Sequence, residues 1–343
     1  MSAIRTSSIV KQDATAMRLS PSSPDTEGRL WERMTSEQAL WQAWQRVLAN
    51  GGGPGVDGMT LAAFAGRATA HLRTLRRELL NGEYRPAQVL RVYVPKRSGG
   101  QRPLSLLTVR DRVAQRAAHD ALNPVFEPRF LPCSFAFREG RSGVDAARAI
   151  GQWRGRGYRW VVDGDIAQCF EHIEHALLLE LLGQQIADRR VLRLIRTWLQ
   201  AQVMNELAPA SVMSEGVHQG GAISPLLSNV YLHEFDARLT EQKLALVRYA
   251  DDWLILCRTE REAQAALQCA TDALARLRLM VNPNKTRITH FDQGFAFIGM
   301  FFLGERTHWL SPAMAGMQWV GDGGKGERGM GAGKRLLRRL LGG

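Results

Sequence analysis

The chain has 343 residues, 45% hydrophobic and 23% charged, the balance of a folded globular protein with room for one large or two modest domains. Lys+Arg 45 outnumber Asp+Glu 33, and 39 of those cations are arginine, so the formal charge of +12 favours a polyanionic partner. A GC-rich coding bias would raise arginine in the same way. No run approaches the roughly 20 apolar residues of a transmembrane helix, and Met1 to Ser23 lacks the apolar stretch of a secretory leader, so a cytoplasmic protein away from membranes is expected.

In chain order, residues 1–30 are rich in Ser, Thr and Pro and read as a flexible tail. Thr35 to Leu48 and Leu61 to Leu80 read as helices around the turn Gly51-Gly52-Gly53-Pro54-Gly55. Val89 to Val94 alternates as a strand and breaks into a hairpin loop at Pro95-Lys96-Arg97-Ser98-Gly99-Gly100. Val109 to Leu122 is a helix rich in Arg and Ala, and Tyr158 to Val162 is a strand followed by a helix carrying Leu177, Leu178, Leu181 and Leu182. Thr259 with Glu262 predicts a capping box opening a helix whose Ala263, Ala266, Leu267, Ala270, Leu274 and Leu277 share one face. Phe295 to Phe302 reads as one late strand. The final stretch, Gly321 to Gly343, holds nine glycines and ends in a basic cluster, so it reads as a second flexible tail. Its Gly331-Ala332-Gly333-Lys334-Arg335 resembles a phosphate loop only superficially, lacking the hydroxyl residue after Lys.

The chemistry concentrates in acids. Between Leu244 and Cys257 two apolar strand-like runs flank the pair Asp251-Asp252, which predicts a hairpin displaying both carboxylates at its turn. Such pairs are also ordinary turn residues. Two like charges about 4 Å apart repel by on the order of 4 kcal/mol at an effective dielectric of 20, a repulsion that a divalent cation would convert into binding. Asp163 and Asp165, in Trp160-Val161-Val162-Asp163-Gly164-Asp165-Ile166, share a face of a second strand and could complete an oxygen cage. Four scattered cysteines, Cys133, Cys169, Cys257 and Cys269, form no CxxC pair, against a zinc site or disulfide scaffold and in keeping with a reducing cytoplasm. His172 and His175 stand three apart with no further ligand nearby, and His175 is expected to open the following helix.

Tyr249-Ala250-Asp251-Asp252 after Val247-Arg248 resembles the YADD motif of reverse transcriptases, those of the bacterial group II intron type in particular. Further blocks follow the same order. They are Asn50 to Gly58; Val92 to Lys96 with Gly100 to Leu104; Thr108 to Arg112; and Ser134 to Arg138 with Gly140 to Ser142. The Asp165 block, His218 to Asn229, Asn282 to Thr286 and Gly294 to Gly299 complete the set. The resemblance implies an α+β right-hand polymerase, with fingers over residues 31–157, a palm over 158–312 and a tail over 313–343.

It implies that Asp165 and Asp251 hold two Mg²⁺ ions, with Mn²⁺ able to substitute, Asp252 in support and Ile166 offering a backbone carbonyl. Asp163 receives no family role and is expected to act structurally or electrostatically. Lys96 and Arg102 match the pair that neutralises an incoming dNTP triphosphate, and Phe170 the aromatic gate against a ribose 2′-hydroxyl. Gln219 and Gly220 match a contact to the templating pair, Lys285 a proton donor to pyrophosphate or a phosphate contact, and Phe297-Ile298-Gly299 the primer grip. Partners implied are an RNA template and a DNA or RNA primer. The stand-alone and CRISPR-associated branches are also in view, the latter with an adaptation integrase, as are phage defence and an idle maturase-like RNA-binding role. About 40 residues follow the primer-grip block, so a truncated or absent thumb is expected, with the basic tail or a protein partner supplying grip.

Overall fold

The computed structural model describes residues 29–95, 101–205, 208–212 and 215–310. The expectations for both tails, for Lys96 and for the thumb fall outside these residues.

The N-terminal part is helical and then folds a hairpin. Its elements are α1 (Arg29–Thr35), α2 (Glu37–Asn50), α3 (Leu61–Ala65), α4 (Ala68–Asn81), β1 (Val89–Pro95), β2 (Gln101–Leu106), α5 (Val109–Phe126) and α6 (Gly143–Gly155). Ser36 starts α2 by accepting a hydrogen bond from the Ala39 amide at 3.1 Å. The single helix expected over residues 61–80 is two, because Arg67 leaves helical geometry at φ −134° and ψ 27° before α4 begins. At the head of α5, buried Asp111 accepts from Tyr84 Oη at 2.6 Å, Thr108 Oγ1 at 2.7 Å and the Ala87 amide at 3.0 Å. This acid is a structural hub.

The remaining elements are β3 (Trp160–Asp165), α7 (His175–Gly183), α8 (Arg189–Leu199), β4 (Gln202–Asn205), β5 (Ala208–Val212), α9 (Ser224–Glu241), β6 (Ala245–Tyr249), β7 (Asp252–Cys257) and α10 (Glu260–Arg276). Strands β8 (Arg287–His290), β9 (Phe295–Phe297), β10 (Met300–Leu303) and β11 (Arg306–Trp309) follow. Thr259 caps α10 as expected, but Glu262 accepts from the Arg258 amide and not from that of Thr259, so only half of the capping box forms. The late strand is in fact a hairpin, β9 and β10 joined by Ile298 (φ +46°) and Gly299 (φ +76°).

Three sheets result. The N-terminal sheet has order β2-β1-β4-β5, the central one β6-β7-β3-β8, and a small one β11-β10-β9. Strands β4 and β5, within the segment expected to be palm, thus join the sheet of β1, where β4 runs parallel to it. The central sheet is covered on both faces, which explains why its strands read as continuous apolar runs. Leu246, Trp253, Ile255 and Val162 join the main core beside α9 and α10. Ala245, Val247, Leu254, Leu256 and Val161 join a second core with Ala146 and Ile150 of α6 and the phenylalanines of β9 and β10. Gly164 is required here, because a Cβ would lie 2.2 Å from the ring of Trp253, its cross-strand partner. Among the described residues no helix is long and apolar enough to cross a membrane.

Candidate active site

The site lies at one end of the central sheet. Antiparallel pairing sets Asp165, last residue of β3, directly opposite Asp252, first residue of β7. Tyr249 pairs with Asp252 across the hairpin, so Ala250 and Asp251 alone form its turn. The expectation that both acids sit in the turn is therefore half met: Asp251 does, while Asp252 opens the returning strand. Two-residue hairpin turns call for positive φ, usually supplied by glycine or asparagine. Ala250 adopts φ +60° instead, a strain on the order of 1 kcal/mol.

A buried arginine holds that turn. Arg248 is fully buried, and its guanidinium donates to both carboxylate oxygens of Asp236 at 2.6 Å, to Asn229 Oδ1 at 3.1 Å and to Ser134 Oγ at 2.8 Å. It also donates to the Ala250 carbonyl at 3.0 Å. Asn229 and Asp236 lie seven apart on one face of α9, so two helical turns present both to the same strand. The motif blocks include Arg248 and Asn229 without a task for either, and they leave out Asp236.

Charge around the acids is only partly balanced. Lys285 donates from Nζ to Asp165 Oδ2 at 2.7 Å, and Asn282 donates from Nδ2 to Asp165 Oδ1 at 2.8 Å. Burial works against the Lys285 ammonium, but its bond to Asp165 prevails and raises its pKa above the ordinary lysine value. Asp252 is open to solvent on its outer side, yet desolvation by the surrounding protein, then the charges of Asp251 and Asp165, push its carboxyl up to about 7. Asp163, on the same face two residues before Asp165, is paired with Arg287 of β8 through bonds of 3.2 and 3.0 Å. Its burial, only partly offset by Arg287, raises it to about 6. Asp163 is thus tied to the neighbouring strand by this ion pair.

The donor set suits a hard divalent cation: three carboxylates brought to one end of the sheet. A closed cage is not present. Among the described residues no group of three or more His, Cys, Asp or Glu side chains is gathered for a metal, and Lys285 occupies Asp165. Ile166 follows directly, its side chain in the core and its backbone bridged to Val281.

The other predicted residues lie on neighbouring segments of the chain and on β2. Phe170 lies half-buried in a tight turn five residues after Asp165, its carbonyl accepting from the Val217 amide at 2.6 Å. The Gln219 carbonyl accepts from the Ser105 amide at 2.7 Å, tying this segment to β2. Gly220 (φ +102°) needs its missing side chain for the protein's own strand, since a Cβ would come within 2.9 Å of Leu104 and 3.1 Å of the Ser105 carbonyl. Arg102 is exposed on β2 opposite Val94. His175 opens α7 and bonds to the Gly216 carbonyl at 2.8 Å, while His172 faces Glu215, so neither histidine joins the acids.

An antiparallel sheet that ends in facing carboxylates has the donor set of a nucleotidyl-transfer site of the polymerase class. The family model described as reverse transcriptase (RNA-dependent DNA polymerase) matches residues 94–302, more than half of the chain. Protein YkfC of Escherichia coli K12 is 33% identical over 325 residues, 82% of this chain and 84% of that protein. Group II intron-encoded protein LtrA of Lactococcus lactis subsp. cremoris is 32% identical over 221 residues, 64% of this chain but only 36% of LtrA. The structure of telomerase from Candida albicans with a TWJ fragment of telomeric RNA matches 66% of this chain and 47% of that one. Its TM-score of 0.51 at 13% identity is a likeness of fold. The chain belongs to the reverse transcriptase family and is an RNA-directed DNA polymerase of the group II intron-like kind. The family works on a nucleic-acid template and primer and generally uses divalent metal ions.

Proposed function

We propose that this polymerase extends a DNA or RNA primer along an RNA template, and along DNA as well, using dNTPs. The observation that carries the site assignment is the register that sets Asp165 against Asp252 with Asp251 in the adjoining turn. Asp165, Asp251 and Asp252, with the Ile166 carbonyl, would hold two Mg²⁺ ions, which Mn²⁺ can replace. When bound, such ions activate the primer 3′-oxygen and stabilise charge on the leaving pyrophosphate.

The residues of the chain do the rest. Arg102, with Lys96, neutralises the triphosphate by charge complementarity. Phe170 sits beneath the sugar, where its ring excludes a ribose 2′-hydroxyl. Gln219 and Gly220, anchored on β2, support the templating pair. As the 3′-hydroxyl gives up its proton to solvent and its oxygen bonds to the α-phosphorus, the bond to pyrophosphate breaks and Lys285 hands its proton to that leaving group. This requires Lys285 to leave Asp165.

Primer extension on an RNA template with dNTPs and Mg²⁺ tests the reading. Asp251→Asn should lower extension roughly a thousandfold while leaving template affinity largely intact. Near-wild-type extension by a folded Asp251→Asn protein would overturn the metal assignment.

A further inference from the structure

Backbone strain in this molecule is not scattered. Among the described residues six that are not glycine have positive φ: Phe137, Gln168, Lys243, Ala250, Arg278 and Ile298. Lys243 and Arg278 follow the ends of α9 and α10, where a left-handed residue is an ordinary way to stop a helix. The other four are different. Ala250 carries the acidic turn, Gln168 lies between Asp165 and Phe170, and Ile298 forms the β9–β10 turn. Phe137, at φ +59°, has no role in the account so far.

Its loop is built to be rigid. The segment before it runs parallel to β6, with Ser134 bridged to Arg248 and the Phe135 amide bonded to the Arg248 carbonyl at 3.0 Å. Asn229 donates to the Ala136 carbonyl at 2.9 Å. Buried Arg138 donates to the carbonyls of Leu131 and Ser134 at 2.8 and 2.9 Å and to Glu127 at 2.8 Å. Phe137 thus follows closely after the residues bridged to Arg248, which itself leads into the acidic turn. On the far side the loop enters α6, where a Cβ on Gly143 would lie 3.4 Å from Ile298 of the β9–β10 turn.

The loop therefore spans the acidic turn and the Ile298 turn. On that fixed bridge Phe135, Ala136 and Arg138 are buried while the Phe137 ring is 54% exposed. Glycine or asparagine would adopt this backbone more easily, and an exposed ring contributes little to the core. Among the described residues neither cost is repaid by a contact of the ring.

We propose that Phe137 is a binding residue for the primer strand, its ring packing against the terminal nucleotides next to the reacting end. The occupant is a nucleotide because aromatic rings at nucleic-acid sites gain affinity by stacking on the π-faces that every base offers. It is the primer because the loop links the acidic turn, where the 3′-end must lie, to the Ile298 turn. The inference rests on the polymerase reading above.

The test uses the full chain and an RNA template annealed to a DNA primer carrying 2-aminopurine at its 3′ end, without divalent metal. Phe137→Gly should melt no lower than wild type, since it relieves the strained backbone. It should bind the duplex about tenfold more weakly and lose the change in 2-aminopurine fluorescence seen on wild-type binding. Phe137→Trp should keep both. Wild-type affinity and fluorescence change in a folded Phe137→Gly protein would overturn the assignment while wild-type extension still upholds the polymerase reading. Failure of the wild-type protein to bind or extend the primer would overturn both.

Discussion

The central and N-terminal sheets are built from similar numbers of strands but under opposite conditions. Strands β6 and β7 are buried along nearly their whole length between two cores, and strain is confined to the turn that joins them. Strand β1 is only partly covered after Val89, and the small core beside it consists of Val89, Leu107 and Ala201. A sheet packed on both faces can hold a strained turn and an excess of negative charge in place, because its surroundings over-determine the backbone. A thinly packed hairpin cannot, but it can offer arginine to a ligand with little change to the fold. Fixed acids and an exposed cation are thus placed where the packing can support each.

The largest effect that would break this comparison lies at Arg248. Arg248→Met leaves Asp236 buried without its partner and should cost about 3–5 kcal/mol of stability, read from denaturant unfolding. Adding Asp236→Leu removes the stranded charge, and the double variant should regain most of that stability. The Ala250 carbonyl would still lack its donor, so kcat should remain low. Recovery of kcat along with stability would mean that Arg248 serves the fold alone and that the turn needs no clamp.

These differences also decide what was legible in the amino-acid pattern. The β6–β7 hairpin and its acids were readable because apolar runs bracket a charged pair, a contrast that survives without any tertiary knowledge. The clamp was not readable, since Asn229, Asp236 and Arg248 meet only when α9 packs on the sheet. The β9–β10 hairpin was hidden because its turn is Ile298-Gly299, where the asparagine that usually marks such a turn is replaced by a β-branched residue. The break between α3 and α4 was missed because apolar periodicity continues through it. The motif assigns Lys285 to the phosphates, and only the fold reveals that it rests on Asp165.

An intermediate effect is expected where the central sheet ends. Phe170 is half-buried against the main core, so Phe170→Val should cost about 1–2 kcal/mol through lost packing. It should also raise the ratio of ribonucleotide to deoxynucleotide insertion about tenfold or more, measured by single-nucleotide extension with each triphosphate. An unchanged ratio in an active variant would return Phe170 to core packing and move the sugar-selecting wall elsewhere.

The smallest effect on stability belongs to the N-terminal sheet, and it sharpens the comparison most directly. Arg102 is exposed on β2, an edge strand of its sheet among the described residues. Removing its charge leaves no buried group without a partner, so Arg102→Ala should change stability by no more than about 0.5 kcal/mol. Under the proposed role of meeting the triphosphate, the loss of this one cation should raise KM for dNTPs about tenfold. Because the charge increases on the leaving pyrophosphate, kcat should also fall, by a smaller factor. Arg102→Lys should recover KM only partly, since a single ammonium replaces a planar fork of donors. A variant that melts early would show that β2 depends on Arg102 for its fold, and the division between a fixed floor and a replaceable cation would fail. Intact melting with an unchanged KM would leave the hairpin folded but remove it from the nucleotide site.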